Sequence, residues 1–283
     1  MVCFRTGHKL AKWLMAYDVR QSRVARKKIA SAETTVDSAR YLERITYHGS
    51  CEPILPTLQA LHEAHQLAVP FENLDISLGR AIVLDEASLW TKIVEHQRGG
   101  FCYELNGLFA LLLRALGFQV DLLSAAVARE TGGFGPDFDH LTLLVHLEQD
   151  WLADVGFGES FRQPLHLRAG LAQRQSGGSY RLEREGAFWI YQEWDDAWKP
   201  AYRFRVQPHT LRDFAAMCHY HQTSPASHFT QQRVCTLPTP TGRITLSDQR
   251  LITTSDGERT ERTLTDQDYR AVLGSAFGIV LSP

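Results

Sequence analysis

Apolar residues recur along this chain with two different periods, and the change falls near Gly117. From Val36 to Gly117 the spacing is helical. Asp37 and Ser38 can cap a helix carrying Tyr41, Leu42 and Ile45, which TYHGSCEP (46–53) interrupts. LPTLQALHEAHQLAV (55–69) places Leu58, Leu61, His65 and Ala68 on one side and ends at Pro70, the first residue of PFENLD (70–75). SLWTKIVEHQ (88–97) predicts a short helix capped by Ser88 or Asp85. CYELNGLFALLLRALGF predicts a buried helix from Cys102 to about Leu116, because Leu105, Leu108, Phe109, Leu112 and Leu116 form one apolar stripe. Gly117 is a natural terminator for it.

After Gly117 the period becomes two. FQVDLLSAAVAR, HLTLLVHL, DWLADVGF, YRLEREG and AFWIYQEW read as strands separated by short turns, and a barrel or strongly curled antiparallel sheet accommodates 118–205. TLRDFAAMCHYHQ (210–222) returns to helix. RITLSDQRLITTSDGERTERTLT reads as strands with a turn at Asp256-Gly257, and TDQDYRAVLGSAFGI as a closing helix with Thr265 at its N-cap and Asp268 three positions on. The fold class is therefore α+β. The expected units are a basic extension (1–35), a helical domain (36–117), a β-barrel domain (118–209) and a connector helix with an α/β lid (210–283).

Composition narrows the functional classes. The 283 residues are 44% hydrophobic and 22% charged with a net charge of −2, which is ordinary globular composition without the basic excess of a nucleic-acid binder. No apolar run approaches the ~18 residues of a membrane span. Residues 1–33 carry eight Lys and Arg against Asp18 and Glu33. KLAKWLMAY is too short and too interrupted for a secretory signal, so this segment reads as a non-catalytic extension with a faint transit-peptide character.

Five cysteines (Cys3, Cys51, Cys102, Cys218, Cys235) include no CxxC pair, which points away from a disulfide framework or zinc knuckle and towards a reducing, cytoplasmic setting. In CHYHQ, Cys218, His219 and His221 lack a fourth ligand at metal spacing, so no metal is expected.

RGGFCYELNG (98–107) places Cys102 in the first turn of the buried helix, near unpaired N–H groups and the positive end of the helix dipole. That setting favours thiolate, and Gly99 and Gly100 let a backbone or a substrate approach closely. Equally, Cys102 can be a small packing residue behind a glycine turn. A nucleophile needs a base, and the base an orienting group. DHLTLLV offers His140 and LADVGFG offers Asp154 inside an apolar run. If the intervening turn centres on Gln149, Leu144 faces Asp154. His140 and Asp154 then share a face but stand four residues apart, roughly 13 Å at ~3.3 Å per residue. A bulge or a longer turn is needed to join them. His48, His62, His65, His96, His209 and His219 remain rival bases, and Asp121, Asp137 and Asp139 rival orienters.

Taken together, PFENLD, RGGFCYELNG, DHLTLLV, LADVGFG and, more loosely, HYHQTSPASHFT (219–230) resemble the arylamine N-acetyltransferase family in order and spacing, from about Val36 to Pro283. Residues 1–33 fall outside the family pattern. The resemblance implies a papain/transglutaminase-like cysteine-enzyme core with a triad of Cys102, His140 and Asp154. It implies ping-pong acetyl transfer from acetyl-CoA, the co-substrate, through an acetyl-Cys intermediate to arylamines and hydrazines. O-acetylation of N-hydroxyarylamines is a second implied activity, and xenobiotic metabolism the implied setting.

The same resemblance pairs Glu72 with Arg98 structurally and lines the acceptor pocket with Phe71, Phe157 and Phe229. It brings Gly132, Gly133, Phe134 and Gly135 of TGGFGP to the CoA pyrophosphate, where free backbone N–H groups can hold an anion. No nucleic acid or membrane partner is implied. Alternatives are a family-related amide synthase with a longer acyl donor, a papain-like cysteine hydrolase, and a catalytically silent interaction domain.

Overall fold

The computed structural model describes residues 36–281; the expectations for 1–33 lie outside them. Helix α1 (Ser38–Arg44) starts where Asp37 accepts the Arg40 N–H. Helix α2 (Leu55–Ala68) buries Leu58, Leu61, His62 and His65. A two-residue strand β1 (Phe71–Glu72) and a one-turn helix α3 (Leu74–Ser77) follow. Asp85, rather than Ser88, caps α4 (Glu86–Trp90), whose continuation widens into a π-helical turn over Thr91–Glu95. Helix α5 (Cys102–Ala115) is enclosed on nearly all sides along its first nine residues, more completely than its apolar stripe alone requires. It is the axis around which the helical segment packs, with Leu105, Leu108, Phe109 and Leu112 fully buried.

The predicted alternation becomes an eight-stranded antiparallel sheet. Its strands are β2 (Gln119–Val127), β3 (His140–His146), β4 (Asp150–Ala153), β5 (Leu165–His166), β6 (Gln173–Gln175), β7 (Gly178–Glu185), β8 (Phe188–Asp195) and β9 (Ala197–His209). Their order is β5-β4-β3-β2-β9-β8-β7-β6, so the sheet curls until its two edge strands meet. Glutamine side chains bridge that seam in place of a ladder. Gln173 exchanges two hydrogen bonds with the His166 backbone, and Gln175 two with that of Gln163. The interior is aromatic, with Phe161, Tyr180, Tyr191, Tyr202 and Phe204 around Leu144, Leu152 and Leu182.

A 3₁₀ turn (Leu211–Phe214) leads into α6 (Ala215–Thr223), and α7 (His228–Gln231) follows. The second sheet adds β10 (Val234–Thr239), β11 (Gly242–Ser247), β12 (Arg250–Ser255) and β13 (Glu258–Thr263) in sequential order. Helix α8 (Asp266–Phe277), capped by Thr265 as its sequence predicts, packs Tyr269, Leu273 and Phe277 on this sheet.

Strand β10 went unread in the sequence, and so did its partner. β1, more than 160 residues away, pairs antiparallel with it through Phe71↔Thr236 and Glu72↔Cys235. Asn73 secures the junction, donating to the carbonyls of Phe229 and Gln232 and accepting from Val234 N–H. No described helix is long and apolar enough to cross a membrane.

Candidate active site

The register between β3 and β4 departs from the sequence expectation. Leu144 faces Leu152 rather than Asp154, and His146 faces Asp150. The turn is thus centred one residue earlier, on Glu148. Each residue of β4 moves two places along β3, which keeps parity and brings Asp154 level with Thr142. The offset from His140 falls to two residues, about 7 Å of strand, and the two side chains close it: His140 Nε2 stands 2.6 Å from Asp154 Oδ2. Neither a bulge nor a longer turn is required.

Because a carboxylate only accepts, His140 Nε2 carries the proton and Nδ1 is left facing the other way. Asp154 is enclosed by donors. Tyr202 donates to Oδ2 at 2.9 Å, while Asn106 Nδ2 and Gly156 N–H donate to Oδ1 at 2.8 and 3.0 Å. Burial alone would raise its pKa, but His140, Asn106 and Gly156 outweigh it and hold the carboxyl below its ordinary range. Burial pushes the Tyr202 hydroxyl well up, so it stays a donor.

Cys102 opens α5 with its side chain buried, and lines one cleft with His140. Glu104, two positions on, accepts the Phe101 N–H and fixes the start of the helix. The expectation that the helix N-terminus lowers this thiol is corrected. Burial pushes Cys102 well above the ordinary thiol range, and a backbone hydrogen bond from Leu141 opposes this without overcoming it. Burial is the largest influence on this thiol and sets the direction of the shift.

The glycines of RGGFC serve a backbone neighbour. A Cβ on Gly99 would stand 1.9 Å from the Pro70 carbonyl, and Gly100 O accepts from Glu72 N–H at 2.9 Å. The loop before Cys102 is thereby strapped to β1. Glu72 and Arg98 meet beneath it at 2.7 Å, in a buried cluster that also holds Asp75, Lys92 and Glu104. Burial works against both cations, yet the carboxylates raise Lys92 and Arg98 above their ordinary values. Glu104 is pushed up to about 7, chiefly by burial.

The cleft has a volume of about 920 Å³. Phe71, Phe157 and Phe229 all line it, with Tyr220, His221 and His228 beside them. Of TGGFGP, Gly135 and Pro136 reach the lining; Gly132, Gly133 and Phe134 do not. Two of that loop's N–H groups are engaged in the turn itself, Gly132 to Arg129 O and Gly135 to Val127 O. Cys218, His219 and His221 part company: Cys218 contacts Gln222, His219 is exposed and His221 bonds Ser227. Among the described residues no cluster of His, Cys, Asp or Glu is placed to hold a metal.

The rival groups have other partners. His146 takes Asp121, Asp137 pairs with Arg205, and Asp139 lies by His221. His65 bonds Tyr41, His209 packs on Phe138, and His48 and His96 are exposed. Asn106 went unread, although a polar side chain one turn after Cys102 on a buried helix was a signal that could have found it. Tyr202 had no such signal.

A family model described as N-acetyltransferase matches residues 54–283. The arylamine N-acetyltransferase of Escherichia coli is 36% identical over 245 residues, covering 84% of this chain and 87% of its own. A Salmonella typhimurium protein named arylamine N-acetyltransferase / N-hydroxyarylamine O-acetyltransferase is 39% identical over 70% of this chain and 73% of its own. The solved arylamine N-acetyltransferase from Salmonella typhimurium matches with a TM-score of 0.82 at 33% identity, over 87% of this chain and 92% of its own. The family model over most of the chain, relatives at 36% and 39% identity and the shared fold place the chain in the arylamine N-acetyltransferase family of acyltransferases.

Proposed function

We propose that this chain transfers an acetyl group from acetyl-CoA to arylamines and hydrazines through an acetyl-Cys102 intermediate. The observation that carries the reading is the buried His140–Asp154 pair at 2.6 Å facing the same aromatic-walled cleft as Cys102.

With Nε2 engaged by Asp154, His140 has Nδ1 free to take the Cys102 proton. A thiol raised by burial ionises only as its proton settles on a neighbouring base, so thiolate and imidazolium form together. The thiolate attacks the thioester carbonyl, and the C–O π electrons move to oxygen, where the Cys102 backbone N–H is a candidate donor. The oxyanion collapses, the CoA sulfur leaves with the proton from His140, and acetyl-Cys102 remains. An arylamine, neutral near pH 7, attacks that carbonyl. His140 takes the amine proton and Cys102 leaves as thiolate, which restores the starting state.

Phe71, Phe157 and Phe229 suit a flat aromatic acceptor. The cleft, at about 920 Å³, is of the size that small-molecule and cofactor sites occupy. O-acetylation of N-hydroxyarylamines would use the same intermediate, and the Salmonella relative carries both activities in its name. We place the enzyme in a reducing cytoplasm, where the free thiols Cys51, Cys102, Cys218 and Cys235 are at home.

The test is intact mass after mixing wild-type protein or Cys102→Ala with acetyl-CoA and no amine. A single acetyl adduct, absent in the variant and discharged by an arylamine, is expected. No adduct and no CoA release would overturn the reading in favour of a longer acyl donor or amide hydrolysis.

A further inference from the structure

Asp154 is the first residue beyond the β4 ladder, so its backbone N–H has lost its strand partner inside the protein. That N–H donates to His62 Nε2 at 2.9 Å. His62 belongs to α2, in the helical segment, and reaches the barrel segment across 92 positions of sequence. Its other nitrogen, Nδ1, stands 2.8 Å from the carbonyl of Arg162, just after the Asp154 loop. A carbonyl only accepts and a backbone N–H only donates. The ring is therefore the neutral Nδ1–H tautomer, with its one lone pair spent on Asp154.

The surroundings hold the ring in place. It stacks on Phe161 at 5.7 Å and 12°, and Phe109 meets it edge-on at 6.0 Å. Gln66, one turn later on α2, donates to the Phe161 carbonyl and ties the same loop to the same helix; its Nε2 also lies 3.0 Å from His62 Nδ1, whose proton is directed at the Arg162 carbonyl. Burial lowers the His62 pKa to about 4, so the acceptor persists at neutral pH.

We infer that His62 is a positioning residue for the proposed triad: its neutral Nε2 fixes the Asp154 backbone and thereby the carboxylate that orients His140. The four donors on the Asp154 side chain hold its charge, and the contact to His62 fixes the backbone from which that side chain projects. A shift of this N–H tilts the carboxylate away from a 2.6 Å contact. This inference rests on the reading of Cys102, His140 and Asp154 as one catalytic unit.

The experiment is the pH profile of Cys102 alkylation by iodoacetamide, read by peptide mass so that exposed Cys51 is not counted. Wild type, His62→Leu and His62→Gln are compared. Leucine keeps the apolar packing and removes the acceptor; glutamine places an amide oxygen near the Nε2 position. For His62→Leu the profile is expected to move up by about one pH unit, with alkylation slowed about tenfold at pH values below the wild-type midpoint. His62→Gln is expected to return towards wild type. If leucine lowers only the melting temperature and leaves the profile superposed, or if glutamine is as impaired as leucine, His62 is merely structural. Should the leucine chain fail to fold, His62→Met, which also lacks a strong acceptor, supplies the comparison. A wild-type Cys102 that titrates as an ordinary thiol near about 8.5 would remove the triad reading itself, and this role with it.

Discussion

Gly156 and Cys102 touch through their main chains. A Cβ on Gly156 would stand 2.9 Å from Cys102 Cα and 2.7 Å from Asn106 Nδ2. The glycine of DVGFG is thus the surface on which the first turn of α5 rests, and it also donates to Asp154. Gly156→Ala is expected to push Cys102 and Asn106 apart from Asp154 together. Acetyl transfer should fall more than about tenfold, with a stability loss of about 1–3 kcal/mol. Near-wild-type kcat/KM for an arylamine in this variant would show that the contact has slack.

Charge at Asp154, apart from shape, is tested by Asp154→Asn. The amide retains the volume but loses the negative charge facing His140 and can present N–H where a carboxylate oxygen accepted. Activity should drop by about 10⁴-fold, as for the acid of a Ser-His-Asp triad. Single-turnover measurement of acetyl-Cys102 formation checks this, and retention of more than about a tenth of the rate would rule out an orienting role.

The loop before Cys102 depends on a buried ion pair. Glu72 is fully enclosed, and Arg98 satisfies it together with Asp75. Arg98→Met leaves both carboxylates short of a cation, with Lys92 the remaining member of opposite sign in the described cluster. Removing one partner of such a pair costs about 3–5 kcal/mol. Urea denaturation should register that loss; a change under about 1 kcal/mol would mean that Lys92 compensates.

His146 gives a pH-dependent contribution of definite sign. Its Nε2 lies 2.9 Å from Asp121 and its Nδ1 2.6 Å from Asp150, joining β2, β3 and β4. The hydrogen bond to Asp121 comes first in raising its pKa, and partial burial opposes it. A histidine raised on folding stabilises fully below its unfolded pKa of about 6.5, and this contribution is lost as pH rises through the folded value. The gap in Tm between wild type and His146→Gln should be widest near pH 6 and narrow by pH 9. An equal gap at both pH values would contradict this sign.

The barrel seam is held by side chains. Gln175→Ala removes two hydrogen bonds from the Gln163 backbone, at 2.9 and 2.7 Å. At this half-buried seam the cost should be about 1–2 kcal/mol. Hydrogen exchange should quicken at Gln163 N–H, and unchanged protection there would assign closure to the aromatic interior instead.

Several features were legible because they are local. The switch from helical to alternating periodicity at Gly117, the caps at Asp37 and Thr265, and the stripe on α5 depend on residues within a turn or two of each other. The motifs around Cys102, His140 and Asp154 were equally plain. What joins the last two was not, because parity survives a two-residue slide of register while distance does not. Strand β10 was unread because its pattern is weak and its partner β1 is two residues long.

By itself, then, the sequence determined which residue types are available for chemistry and which faces are apolar, since residue type and period are properties of the chain. The tertiary structure decided what those residues meet. His62, a rival base on paper, sits neutral beneath Asp154 because α2 and the barrel segment happen to converge there. Cys102, placed by the sequence where a helix start favours thiolate, is instead pushed up by burial, because desolvation depends on everything packed around it.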